Sequence, residues 1–383
     1  MPVSPPVAGL SQDDIAWLEW FYACEPLDVA HNESRWIERV IRTSPASEPL
    51  LRAEVLGGDQ AAAGFAILAR GAMAVHGRSA LRPASSFHTL PKSTTPDIRS
   101  ERPSPYPTTT LSPQPIPNTE PAPNIKPASN IDTNELLDAA NKLLVAQAFH
   151  RGAEIYHSLT PIPLPIAPLT PVNLASCAPP AENKSCLRFI TTLLRFENLN
   201  PTETLHRIPA SKQPPNSSGN LRFEPYRKLP FHQWCSLIRD AYRDSLDVPE
   251  IEGVRSIEQT LEGYAVNQPS NTDAWFAISI NQSLAGCLIL SIPSRRQAEI
   301  TYLGLHPQFR SKGYGFEIMR FALQWMSEQN IEIASLSVDC RNTPAIQLYQ
   351  RFDFNPTEAY HAWATTPQWF AATLNTTTQS QLP

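Results

Sequence analysis

Arg310-Ser311-Lys312-Gly313-Tyr314-Gly315 is the stretch that decides how the C-terminal part of this chain is interpreted. It lies between an apolar segment, Glu299 to Leu305, that predicts a strand, and an amphipathic segment, Phe316 to Gln329, that predicts a helix. A helix N-terminus leaves backbone N–H groups unpaired and carries a partial positive charge, so it binds phosphate readily. The glycines lack a Cβ, which lets phosphate approach the amides directly. The stretch predicts a site for a phosphorylated cofactor, with an empty glycine-rich turn as the alternative.

The apolar periodicity around this loop predicts one α/β unit from Leu221 onward. The predicted strands are Leu221 to Phe223, Trp275 to Ile280, Ala285 to Ser291, Glu299 to Leu305, Ala334 to Val338 and a terminal strand near Tyr360 to Ala364. The predicted helices are Phe231 to Leu246, Ser256 to Val266, Phe316 to Gln329 and Pro344 to Phe352.

A second segment, Asn342-Thr343-Pro344-Ala345-Ile346-Gln347-Leu348-Tyr349, follows the strand after the loop. With Arg310 to Gly315 and the order of elements, it resembles the GNAT superfamily of acyl-CoA-dependent N-acetyltransferases over about Leu221 to Phe370. The resemblance implies an α/β fold with a mixed, mostly antiparallel central sheet flanked by helices. It also implies an enzyme that moves an acetyl group from acetyl-CoA to a primary amine by direct transfer in a ternary complex, without a metal.

In that superfamily the segment R/Q-x-x-G-x-G/A binds the pyrophosphate of coenzyme A through backbone amides, and Arg310, Gly313 and Gly315 match it. The strand before the loop splays from its neighbour and admits the pantetheine arm, at the place that Leu303 to Leu305 occupies. The cofactor-binding residues that the resemblance implies are Leu303, Leu305, Arg310, Ser311, Lys312, Gly313, Tyr314, Gly315 and Asn342.

The resemblance also implies catalytic roles. An alkyl amine has a pKa of about 10.4, so a base must take its proton. Glu299 stands where histone acetyltransferases of the superfamily carry a general-base glutamate, and it shares the face of Leu303 if no bulge intervenes; the alternative is a solvent-exposed glutamate. The amide of Leu303 would stabilise the oxyanion. Tyr349 would protonate the leaving thiolate, or it is a core tyrosine with its hydroxyl at the surface.

One departure from the family motivates a second class of function. Asp353 stands where members usually have a glycine, although aspartate tolerates the left-handed φ that stops a helix. The N-terminal half, described below, also fits a degenerate partner domain. These two features leave a second function as the alternative: a regulatory module of GNAT fold that binds coenzyme A with little or no turnover.

The N-terminal half predicts a hairpin, Leu50 to Val55 with Ala61 to Ala69, and a helix over Asn134 to Leu144. These elements fit a degenerate GNAT-like unit, although no R/Q-x-x-G-x-G/A segment precedes Arg310. Many of the 39 prolines cluster in stretches that cannot bury enough apolar surface to fold. The predicted division is 1–82 and 131–160 for the N-terminal α/β domain, 83–130 for a Pro-rich disordered insert, 161–220 for a Pro-rich linker region with short ordered pieces, 221–370 for the acetyltransferase domain and 371–383 for a disordered tail.

The net charge, the apolar runs and the cysteine spacing limit the classes of partner that the sequence predicts. A net charge of -5 argues against nucleic-acid binding. The absence of a signal peptide and of a long apolar run predicts a soluble cytoplasmic protein without membrane contact. Six cysteines without a CxxC pair predict no metal site.

The expected partners are an acyl-CoA donor and an amine acceptor, either a small molecule or a protein amine. Four carboxylates in the segment Asp244 to Glu252 would suit a cationic amine, or they form a solvated acidic loop. The acyl chain depends on packing around Leu288, Leu290 and Leu303, which the sequence does not specify.

Overall fold

The computed structural model describes residues 10–22, 50–57, 60–69, 73–83, 133–162, 164, 186–208, 221–265 and 272–379. The helices are α1 (Gln12–Tyr22), α2 (Thr133–His150), α3 (Pro201–Arg207), α4 (Phe231–Tyr242), α5 (Ile257–Ala265), α6 (Tyr314–Glu328), α7 (Thr343–Gln350) and α8 (Pro367–Gln379). The strands are β1 (Leu50–Gly57), β2 (Gln60–Ala69), β3 (Met73–Pro83), β4 (Ile155–Ile162), β5 (Arg188–Asn198), β6 (Leu221–Pro225), β7 (Trp275–Ile280), β8 (Ser283–Ser294), β9 (Gln297–Leu305), β10 (Ile333–Asp339) and β11 (Asn355–Thr365). The predicted disordered insert lies outside the described residues, apart from Pro83 at the end of β3.

These strands form one sheet in the order β1-β2-β3-β4-β11-β5-β10-β9-β8-β7-β6. The pairs β3–β4 and β9–β10 are parallel, and the other neighbours are antiparallel. Helices cover the sheet, with α6 and α7 in one core and α4 and α5 in another. The predicted mixed, mostly antiparallel sheet flanked by helices is therefore confirmed.

The two halves of the chain repeat one arrangement. In the C-terminal half, the antiparallel strands β7, β8 and β9 lead through α6 to β10, which is parallel to β9. In the N-terminal half, β1, β2 and β3 precede α2 and then β4, which is parallel to β3. Parallel neighbours need a crossover connection, and in each half a helix lies in it. The predicted hairpin of the N-terminal half corresponds to β1 and β2.

Each half completes its sheet with a strand from the other half. β5, which follows β4 in sequence, inserts between β10 and β11, and β11 in turn pairs with β4. The prediction for 161–220 was a Pro-rich linker region with short ordered pieces; Arg188–Asn198 is an ordered piece that forms a central strand of the sheet, which the sequence did not indicate. The prolines on both sides dominated the composition, whereas the run from Phe189 to Phe196 contains no proline and is rich in Ile, Thr, Leu and Phe.

The predicted disordered tail begins too early, because residues 371–379 belong to α8. The Thr366 hydroxyl accepts a hydrogen bond of 3.2 Å from the amide of Trp369 at the start of this helix. Phe370 is buried against Phe149 of α2, with 5.9 Å between the ring centroids. Packing of these aromatic residues holds the C-terminal helix on the N-terminal half.

The two faces of the C-terminal strands bury different side chains. Ala298 and Ile300 of β9 lie in the core beneath α6 and α7. Ile289 of β8 and Tyr302 of β9 pack on the other face, with Trp234 of α4. No helix in the described ranges is long and apolar enough to cross a membrane.

Candidate active site

Three consecutive amides at the start of α6 are unpaired. Gly313 is the N-cap of this helix and has a left-handed backbone, with φ 86° and ψ -8°. Across the described ranges, no acceptor receives a hydrogen bond from the amides of Gly313, Tyr314 or Gly315. Unpaired amides at the positive end of a helix favour an anion. The predicted pyrophosphate loop therefore has the geometry of a phosphate site.

The side chains of this loop differ in their surroundings. Tyr314 is buried, with its ring 6.4 Å from that of Phe309, so only its amide is available to a ligand. A Cβ on Gly315 would lie 3.0 Å from Leu348, so the missing side chain lets α6 approach α7 closely. The side chains of Ser311 and Lys312 are exposed.

Arg310, predicted to bind the cofactor, has its side chain engaged elsewhere. Its guanidinium donates hydrogen bonds of 2.6–2.9 Å to four backbone carbonyls, those of Ala241, Arg243, Asp244 and Leu305. Its own amide donates to the carbonyl of Pro307. The carbonyls at the end of α4 have no partner within that helix, and Arg310 supplies one. A direct contact of this side chain with phosphate is therefore not supported.

A gap opens between β9 and β10 beside the loop. Their parallel ladder ends at the pair Leu336 and Ile300, and from Thr301 onward β9 pairs only with β8. The amide of His306 donates to the carbonyl of Ala285 in the segment before β8. Because amides alternate in direction along a strand, those of Leu303 and Leu305 point away from β8 and into the gap. The predicted pantetheine contacts thus line an opening of the expected kind.

Glu299 does not share the face of Leu303. A register shift in the β8–β9 pairing leaves Thr301 as an extra residue, so a bulge intervenes. Glu299 pairs with Ser291, between Ala298 and Ile300, which face the core beneath α6. Its half-buried carboxylate therefore points to the α4 and α5 face, and it does not line the cavity described below.

The α7 segment contributes Asn342 and Tyr349. The Asn342 side chain caps α7 by accepting a hydrogen bond of 3.4 Å from the amide of Ala345. Tyr349 is buried, and burial together with the nearby charge of Asp247 raises the pKa of its hydroxyl. The phenol is therefore protonated at neutral pH.

A cavity of about 600 Å³ adjoins the gap on the α4 and α5 face. Thr301 and Tyr302, which directly precede Leu303, form its wall on β9. Ile155 of β4 forms part of the opposite side, so the N-terminal half also encloses it. The remaining lining residues come from α4, the segment after it and α5: Arg239, Tyr242, Ser245, Asp247, Val248, Pro249, Ile251, Glu252, Gly253, Val254, Arg255, Ser256, Ile257, Glu258, Thr260 and Tyr264.

Asp247 lines this cavity together with Glu252 and Glu258, and sequence reasoning did not single it out. Burial raises its pKa, and the nearby carboxylate of Asp339 raises it further, against the hydrogen bond from the Asp339 amide. A carboxylate whose pKa lies above its usual value is a stronger proton acceptor than an exposed aspartate. The only sequence signal was its membership of the acidic segment Asp244 to Glu252.

The acidic segment is bonded to the end of β10 rather than solvated throughout. The fully buried carboxylate of Asp339 accepts a hydrogen bond of 3.2 Å from the amide of Val248. It also pairs with Arg341, whose guanidinium bonds Glu250 at 2.8 Å. These bonds fix the segment against the strand that borders the gap.

Comparison with known proteins agrees with this geometry. Residues 232–354 match the model of the acetyltransferase (GNAT) family. This part of the chain, less than half of its length, is similar to a GNAT domain. The match includes the loop amides, the gap, Asp247 and Tyr349. In the described part of the chain, no group of three or more His, Cys, Asp or Glu side chains is placed to hold a metal ion.

Relatives with the GNAT domain are distant. An uncharacterized N-acetyltransferase of Methanocaldococcus jannaschii is 28% identical over 97 residues, which cover 24% of this chain. The chain spans only 43% of the length of that curated relative. A solved tandem GNAT protein from the clavulanic acid biosynthesis pathway aligns with 93% of this chain and 96% of its own, at 11% identity and a TM-score of 0.45. A GCN5-related N-acetyltransferase from Sphaerobacter thermophilus aligns with 94% of each chain, at 10% identity and a TM-score of 0.44.

Proposed function

We propose that this protein is an N-acetyltransferase that moves an acetyl group from acetyl-CoA to a primary amine in a ternary complex. One observation supports the proposal: where β9 leaves β10, its residues Thr301 and Tyr302 line the cavity, and the chain then leads to the N-terminal amides of α6, which have no acceptor among the described residues. A donor with a phosphate at one end and a thioester at the other fits this connection. The amine acceptor would enter from the cavity.

The donor would be held mainly by backbone groups. The amides of Gly313, Tyr314 and Gly315 would bind the pyrophosphate, with Lys312 exposed beside them. The pantetheine arm would lie in the gap, where its amides would pair with Leu303 and Leu305. Asn342 would contact the same arm with the part of its side-chain amide that does not cap α7. Glycine at position 313 suits this role because its left-handed backbone presents the amide without a Cβ.

The reaction needs two proton movements. The amine nitrogen attacks the thioester carbonyl while a base takes one of its protons, and the amide of Leu303 stabilises the developing oxyanion. The carbon–sulfur bond then breaks, and the thiolate takes the proton of the Tyr349 hydroxyl. The products are the N-acetylated amine and free coenzyme A. The Tyr349 hydroxyl is protonated at neutral pH, as this step requires.

Two carboxylates are candidates for the base. Asp247 lines the cavity, and its raised pKa suits a proton acceptor. Glu299, the candidate from the family resemblance, lies on the same face of the sheet as the cavity but does not line it, and it is four residues before Leu303 in the chain. We therefore propose Asp247 as the base, with Glu299 as the alternative.

The experiment is incubation with acetyl-CoA and a panel of primary amines, followed by mass spectrometry of the N-acetyl products. We expect product and free coenzyme A in equal amounts, and intersecting initial-velocity lines when both substrates are varied. Stabilisation by acetyl-CoA in thermal unfolding without any product would favour the CoA-binding module instead. Parallel initial-velocity lines would contradict direct transfer of the acetyl group in a ternary complex.

A further inference from the structure

The cavity is lined by charges of both signs. The charged lining residues are Arg239, Asp247, Glu252, Arg255 and Glu258. Asp247 lies on the segment after α4, and Arg255 lies just before α5. Both side chains are half-buried, and burial raises the pKa of Asp247 and lowers that of Arg255, which also lies near the charge of Glu154. A poorly solvated ion gains more from an opposite charge on a ligand than a surface ion does. The cavity is thus suited to a ligand that carries both charges.

Arg255 lies where the GNAT domain meets the N-terminal half. One guanidinium nitrogen is 3.2 Å from the position that a Cβ on Gly263 would occupy, so the group lies across α5 at a residue without a side chain. The same charge and burial lower the pKa of His157 on β4 to about 4. Glu154, just before β4, accepts a hydrogen bond of 2.8 Å from the side chain of Gln259 on α5. The N-terminal half therefore forms the wall behind Arg255.

Tyr242 lies within range of both charges. Burial raises the pKa of its hydroxyl to about 12, the charge of Arg255 lowers it, and the charge of Asp247 raises it. Its hydroxyl also hydrogen-bonds that of Tyr264, and both rings pack on Tyr302 with centroids 5.2 and 5.7 Å away. The three tyrosines thus form an aromatic wall of the cavity, and the Tyr242 hydroxyl lies near both charges.

We infer that the acceptor is a small amine that also carries a carboxylate, such as a free amino acid, with its amine at Asp247 and its carboxylate at Arg255. This inference rests on the proposed function and names its substrate class. A volume of about 600 Å³ is within the range of small-molecule sites, roughly 300–1,000 Å³. Guanidinium binds carboxylate in a planar, bidentate manner, which is why arginine suits this end of the site.

The test compares each amino acid with the amine left after its carboxylate is removed: tyrosine with tyramine, lysine with cadaverine, and leucine with isopentylamine. We expect kcat/KM to be about 10- to 100-fold higher for at least one amino acid than for its amine, the effect of one charge-assisted carboxylate contact. Arg255→Met should abolish this preference by raising KM for the amino acid, whereas Arg255→Lys should keep part of it. Arg227→Met is the matched control, because Arg227 is exposed, outside the cavity and paired with Asp273 at 2.8 Å.

A preference for the amines, or one that survives in Arg255→Met, would overturn the inference. So would acetylation of a lysine-containing peptide without acetylation of any free amino acid. If no acceptor is acetylated, the proposed function fails separately, and calorimetry of native protein with coenzyme A decides the ligand class. Tighter binding of an amino acid than of its amine would then support the inference, and equal or absent binding would refute it.

Discussion

The backbone amide of Asp339 donates a hydrogen bond of 2.9 Å to the carboxylate of Asp247. Asp339 ends β10, which borders the gap proposed for the donor, and Asp247 lines the cavity proposed for the acceptor. The carboxylate of Asp339 also accepts a hydrogen bond of 2.9 Å from Thr191 on β5, a strand that the N-terminal half contributes. The strand beside the gap, the segment that lines the cavity and the N-terminal half are therefore joined at one buried side chain.

We expect Gly313→Ala to weaken donor binding. The left-handed backbone at Gly313 disfavours any residue with a Cβ, so the change should cost about 1–2 kcal/mol of folding free energy and displace the unpaired amides. The KM for acetyl-CoA should rise severalfold. Gly152→Ala is the control, since Gly152 has φ 87° and open space around it, far from the loop in sequence. Gly152→Ala should lose similar folding stability and leave the KM for acetyl-CoA unchanged. If the two variants have the same KM for acetyl-CoA, the loop does not bind the donor.

Arg310→Met should act on stability rather than on phosphate affinity. The substitution removes four hydrogen bonds to backbone carbonyls, three of them at the end of α4, and should lower the free energy of unfolding by about 2 kcal/mol. Urea unfolding measures this change. Arg227→Met is the control: Arg227 forms an exposed ion pair, so its replacement should change the free energy of unfolding by close to zero. Unaltered stability with a higher KM for acetyl-CoA would instead indicate that Arg310 binds phosphate.

Residues 221–383 should not fold alone. This fragment contains β10 and β11 but lacks β5, which pairs with both. Two exposed strand edges and an uncovered core favour aggregation. Co-expression with residues 1–208 should restore a soluble complex with cooperative unfolding. A monomeric 221–383 fragment that unfolds cooperatively on its own would contradict the requirement for β5 between β10 and β11.

His157 should make stability fall in mild acid. Its pKa in the folded protein is about 4, against 6.5 for the unperturbed side chain, because burial and the adjacent Arg255 disfavour its charged form. Between these values the unfolded chain binds the additional proton, so stability decreases as pH falls through this window, by at most about 3 kcal/mol. His157→Gln should remove that part of the pH dependence. Urea curves at about pH 7.5 and about pH 5 test it, and parallel losses in both proteins would exclude the effect.

The sequence predicted the C-terminal elements well because each strand and helix there carries its own periodicity and caps. The capping box at Ser256, for example, forms as reciprocal bonds with Gln259 of 2.9 and 3.1 Å. Asp353 adopts the expected left-handed backbone, with φ 56°. Its carboxylate also accepts a hydrogen bond from Thr204, which explains how aspartate is accommodated there.

Strand pairing between distant parts of the chain could not be predicted from the sequence. The position of β5 depends on β10 and β11, more than a hundred residues later, and its proline-rich flanks concealed it. The bulge at Thr301, which moves Glu299 to the other face, depends on the register with β8. The hydrogen bonds of Arg310 and the half-buried position of Asp247 also depend on tertiary structure. Motif spacing therefore indicated the loop that we propose for the donor, whereas the cavity that we propose for the acceptor depends on the folded chain.

The most direct test is the pH dependence of the rate at which N-acetyl product forms, for the native protein, Asp247→Asn and Glu299→Gln. Asparagine can still accept the hydrogen bond from Asp339, so Asp247→Asn removes the base with little change in shape. We predict that its kcat falls by roughly 10²–10⁴-fold at neutral pH and recovers partly at high pH, where more of the amine is already deprotonated, while Glu299→Gln stays close to native. An unchanged kcat in Asp247→Asn, or no product from the native protein, would contradict the account.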